Sequence, residues 1–193
     1  MIEVKVFSDA VDALEKIAKA LVELRNIPRN QRAQYRNAVA KSYQLLNTAT
    51  NLIILRLDDV LLLNDQAVFA SELRKLGNNK EWMNLERDVR LCSNLRDVHG
   101  DMDGLLSRMI HFRGRDWSNA RDLVDRLLER EGTLADYIGA RLSHLAQMAD
   151  TAAGSANEYQ QVRLAVERVR NHVKRERIRL LRSEVKFQDA LRK

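Results

Sequence analysis

The chain has 193 residues, 45% hydrophobic and 31% charged, with 7 Gly, 1 Pro and 1 Cys. That composition fits one globular domain able to bury a core, and it excludes a disordered, collagen-like or disulfide-built chain. Cys92, alone, cannot close an internal disulfide, and no charged-then-apolar leader opens the chain, so a reducing cytoplasm is the expected location. Few Gly and Pro, many Leu, Ala, Arg and Glu, and only 5% aromatics point to an all-α domain, because these residues lose little rotamer freedom in a helix.

Ile2-Glu3-Val4-Lys5-Val6 alternates at period two, but no other segment offers a partner strand, so residues 1–7 read as a short arm. Ser8 or Asp9 is placed to cap a first helix, whose stripe of Val11, Leu14, Ile17, Ala18, Leu21, Val22 and Leu24 has helical spacing. Pro28 ends it. From Asn30 to Asn64 the pattern predicts the longest early helix, with Tyr35, Val39, Leu45, Leu46, Ala49, Leu52, Ile53, Leu57, Val60 and Leu61 facing roughly one way. Between Leu52 and Leu63 only Arg56, Asp58 and Asp59 interrupt the apolar run. That part is expected to be buried on most sides, and its three charges argue against a membrane span.

A helix from Asp65 to Leu76 is expected to end at Gly77 in the left-handed position. Asn78 with Glu81 resembles a capping box before Trp82, Leu85, Val89, Cys92 and Leu95, and Gly100, Gly104 and Gly114 break the helical pattern beyond Leu95. Ser118 opens a segment with Leu123, Val124, Leu127 and Leu128. Thr133 with Asp136 restarts the pattern after Gly132 and leads to Tyr137, Ile138, Leu142, Leu145 and Met148. Gly154, Ser155 and Glu158 form the clearest stop-and-start signal, and residues 155–192 read as one long helix. Short connections make antiparallel neighbours. The expected architecture is therefore a single domain over 1–193, an elongated, mainly antiparallel bundle of five to seven helices with a long basic C-terminal helix.

The charge sits in that last helix. Residues 163–193 hold 11 Lys or Arg against Glu167, Glu176, Glu184 and Asp189, a local balance of +7, so the rest of the +6 chain sums to −1. At about 100° per residue, Arg168, Arg175, Arg179, Arg182 and Lys186 fall on one side, along roughly 27 Å of axis. Arginines bind phosphate oxygens in pairs, and counterion release rewards each neutralised charge, so a polyanion such as nucleic acid is one expected partner. A solvated outer face is the plainer reading. Only Phe187 could stack a base after Gln160, which favours backbone contact over base readout. The opposite side, Val162, Val166, Val169, Val173 and Leu180, forms a coiled-coil-like seam that wants a partner helix, within the chain or on another protein. Trp117, flanked by Arg113, Arg115, Asp116 and Arg121, is a candidate interface anchor or a cover for the end of the core.

Catalytic and metal chemistry finds no constellation. His99, His111 and His144 have Arg96, Arg108 and Arg141 three residues before them, where a di-iron bundle needs Glu. His99-Gly100-Asp101-Met102-Asp103-Gly104 has part of a calcium-loop pattern, but Ile110 falls where the bidentate Glu belongs. Asp58 and Asp59 beside Arg56 suggest an ion pair with an Arg rather than a proton-transfer pair. No phosphate loop or nucleophile elbow occurs. The expectation is a non-enzymatic interaction or assembly protein without cofactor or metal, binding another protein or itself, with phosphate-backbone binding through the last helix as the alternative. A membrane partner is not expected, since the valine-built face lacks Trp.

Overall fold

The computed structural model describes residues 5–23, 29–77, 134–152 and 155–192. Among the described residues it is all helical: α1 (Lys5–Glu23), α2 (Arg29–Leu61), α3 (Gln66–Gly77), α4 (Leu134–Thr151) and α5 (Ala156–Arg192). The expectations for 78–133, including Trp117, Cys92, His99, His111 and the Asp101–Asp103 segment, lie outside the described residues.

Local signals set the starts of α3 and α5. Asp65 Oδ1 accepts the Val68 amide at 2.9 Å and caps α3, while Ser155 Oγ accepts the Glu158 amide at 3.3 Å and caps α5, as side-chain oxygens do for first-turn donors that lack a carbonyl. Of the expected arm, residues 1–4 lie outside the described residues and the rest is corrected: Lys5, Val6 and Phe7 are helical, and Ser8 and Asp9 lie inside α1 rather than capping it. The two-residue alternation there is too short to compete with the apolar stripe that follows.

The contacts divide the chain into two compact units, to both of which α2 and α5 contribute. In the first, α1 buries Val11, Leu14, Ile17, Ala18 and Leu21, the 29–48 part of α2 buries Val39, Tyr43 and Leu46, and the 176–192 part of α5 buries Leu180 and Phe187. This core also contains a hydroxyl pair, because Tyr43 Oη and Ser183 Oγ lie 2.7 Å apart, and the Tyr43 ring tilts against Phe187 at 6.0 Å. Arg177 Nε donates to Asn47 Oδ1 at 2.8 Å. Since Ser183 meets Tyr43 and Arg177 meets Asn47, α5 runs antiparallel to α2 here.

In the second unit, Ile53, Ile54, Leu57 and Val60 of α2, Phe69, Ala70, Leu73 and Leu76 of α3, Leu142, Leu145, Ala146 and Ala149 of α4, and Val162, Val166 and Val173 of α5 are buried. The helices α3 and α4 pack on each other, tied by Gln66 Nε2 donating to the Ala149 carbonyl and by the Arg74–Asp150 ion pair. They come close where both lack a side chain. A Cβ on Gly139 would stand 2.6 Å from the Gly77 carbonyl oxygen, and one on Gly77 would stand 2.8 Å from the Ser143 amide nitrogen. Gly77 is thus the last helical residue at a tight crossing and not a left-handed terminator.

The Leu-dense end of α2 also differs from expectation. Its inner residues are buried, but Leu55 and Leu62 are 52% and 78% exposed, so this stretch is amphipathic rather than enclosed on most sides. Met148, placed on the apolar stripe of α4, is 40% exposed. Among the described residues no helix is long and apolar enough to cross a membrane.

Candidate interaction surface

The cations of α5 divide by direction. Arg163, Arg170 and Arg177 recur at seven-residue spacing beside the buried stripe, which returns them to nearly the same side of the helix, and each reaches a group of its own unit. Arg163 donates to the carbonyls of Leu61 and Leu63, closing the C-terminus of α2, whose last carbonyls have no helical donor. Its guanidinium lies 5.4 Å from the Phe69 ring centre and 5.8 Å from that of Tyr159, and the two rings meet edge to face at 5.5 Å. Cation, rings and carbonyls therefore form one knot. Arg170 pairs with Asp58 at 3.2 Å, so the acid of the apolar stretch finds its Arg on α5.

Arg179, grouped with the outer stripe by sequence, is occupied. It forms ion pairs with Asp12 and Glu15 of α1, and with Glu176 at 3.6 Å. Partial burial works against its charge, but the hydrogen bonds and charges of Glu15 and Asp12 outweigh that and hold the guanidinium above its ordinary range.

Arg168, Lys174, Arg175, Arg182, Lys186 and Arg192 are exposed, and among the described residues no ion pair or side-chain hydrogen bond involves them. Interleaved with them are apolar side chains left in water: Leu164, Ile178 and Val185 are 39%, 44% and 59% exposed. Leu164, Asn171, Ile178 and Val185 repeat every seven residues, and Arg168, Arg175 and Arg182 stand four residues after the first three. The outer face thus carries an apolar column, broken once by Asn171, with a column of exposed arginines beside it.

The inner seam is enclosed by the chain itself. Val162, Val166, Val173 and Leu180 are at most 2% exposed and Val169 is half-buried, so the side of α5 open to solvent is the outer face. Sequence reasoning named Arg168, Arg175, Arg182 and Lys186 but not Leu164, Ile178 and Val185. Their seven-residue spacing opposite the valine stripe was the available signal.

Among the described residues no group of three or more His, Cys, Asp or Glu could hold a metal ion. No protein-family model, curated protein or solved structure matches the chain.

Proposed function

We propose that the protein is a non-enzymatic interaction or assembly protein, an adaptor that binds another protein through the outer face of α5. The observation that carries this reading is the combination of exposed Leu164, Ile178 and Val185 with exposed Arg168, Arg175 and Arg182 on one helix side. Apolar side chains at heptad spacing gain by leaving water against another helix, and flanking charges choose which helix. On this reading the chain is a mainly antiparallel bundle of five to seven helices acting in the cytoplasm.

A second reading is favoured by the same cations. Arg168, Arg175, Arg182 and Lys186 remain free to contact phosphates after Arg179 is withdrawn to α1, and such binding would fall steeply with salt. The deciding experiment places a photo-activated cross-linking residue at Ile178 of the full chain in its native cells, with Lys41 as an exposed control position. A discrete adduct removed by protease and untouched by nuclease supports the protein-contact reading. A nuclease-sensitive adduct selects the phosphate reading, and no adduct beyond the Lys41 control rejects both.

A further inference from the structure

We infer that the occupant of the outer face of α5 is an acidic amphipathic helix of another protein, an inference that rests on the protein-contact reading above. The apolar column Leu164, Ile178 and Val185 sets the shape of the partner, because residues seven apart on one helix are matched by a second helix lying along it. The arginine column sets its charge. Arg168, Arg175 and Arg182 are exposed and form no ion pair among the described residues, so carboxylates on the partner gain attraction without first breaking an ion pair seen there.

Two other occupants fit less well. A second copy presenting its own α5 would set arginine column against arginine column, which repels. A nucleic-acid backbone would satisfy the arginines but leave the three apolar side chains against phosphates. Asn171, within the apolar column, supplies a polar group that a partner must match at one position, which fixes register at some cost in affinity.

The test uses the full chain and two fluorescent helical peptides about four heptads long, with identical Leu and Ile seams and either Glu or Lys flanking them. The Glu peptide is expected to bind at physiological salt and the Lys peptide not. Replacing Arg168, Arg175 and Arg182 together by Glu is expected to invert that preference, with the Glu peptide bound about tenfold more weakly, the sum of three exposed pairs. Ile178→Asp is expected to weaken the Glu peptide while the helical circular dichroism of the chain stays unchanged, since the site is exposed. Equal binding of both peptides, binding of neither, or displacement of the Glu peptide by equimolar duplex DNA overturns the inference. A protein adduct at Ile178 without Glu-peptide binding overturns this inference alone, whereas a nuclease-sensitive adduct removes the reading beneath it.

Discussion

Two arginines five residues apart on α5 do unlike things. Arg163 donates to the last carbonyl of α2 and to that of Leu63 just beyond it, and lies against the Phe69 and Tyr159 rings, while Arg168 meets solvent. Arg163→Ala removes its charge-assisted hydrogen bonds to the Leu61 and Leu63 carbonyls and to the Tyr159 hydroxyl, and leaves the part-buried carbonyls without that donor. It is expected to lower stability by about 2 kcal/mol in urea unfolding, against at most about 0.5 kcal/mol for Arg168→Ala. Tyr43 makes a second prediction at this scale. Burial pushes its hydroxyl up to about 12, opposed by the Ser183 hydrogen bond and reinforced by Glu15 and Glu184. Below pH 10 the phenol is neutral whether the chain is folded or not, and its contribution is complete. Between about pH 10 and 12 the unfolded chain releases the proton while the folded one retains it, so stability falls as pH rises, by about 2 kcal/mol in all. Tyr43→Phe is expected to flatten that part of the stability curve measured from pH 9 to 12. A charge count is blind to such differences: it sums Arg163, Arg168 and Arg179 alike, and only the angle about the helix axis and the position of Asp12, Glu15 and the end of α2 distinguish them.

At the scale of elements, the helix starts at Gln66 and Ala156 were legible because Asp65 and Ser155 act through bonds to amides three residues away. The meeting of α3 with α4 was not, because it depends on Gly77 and Gly139, 62 positions apart in the chain, falling opposite each other. Gly77 read in isolation looks like a terminator, and Gly139 carries no local signal. Gly139→Ala separates the two effects. Alanine would favour the helix by about 1 kcal/mol, but its Cβ would lie 2.6 Å from the Gly77 carbonyl oxygen, backbone that cannot turn aside as a side chain would. Forcing the helices apart costs about 1–3 kcal/mol. The net expectation is a loss of about 1 kcal/mol and a lower Tm, where an exposed helical glycine would give a gain.

At the scale of the whole molecule, composition was enough for the helical class, since few Gly and Pro leave little else for a chain this rich in Leu, Ala, Arg and Glu. The net charge of +6 was legible too, but not its division into cations that hold α1 and α2 and cations that face solvent. That division predicts how the molecule behaves toward copies of itself. Two chains meeting by their outer α5 faces would gain from Leu164, Ile178 and Val185, each partly withdrawn from water, and lose through opposed Arg168, Arg175 and Arg182. At low ionic strength three close like-charge contacts at about 1 kcal/mol each offset an apolar gain of similar size. Raising the salt shortens the reach of the charges, to about 8 Å at physiological strength and less above it, and leaves the apolar term. Sedimentation equilibrium is therefore expected to give the 22.3 kDa chain at low salt and a larger weight-average mass as salt rises. Binding of an acidic helix must change in the opposite direction, weakening as salt rises. A dimer that forms at low salt and dissociates in high salt would show that copies meet through complementary charges elsewhere on the molecule and not through α5.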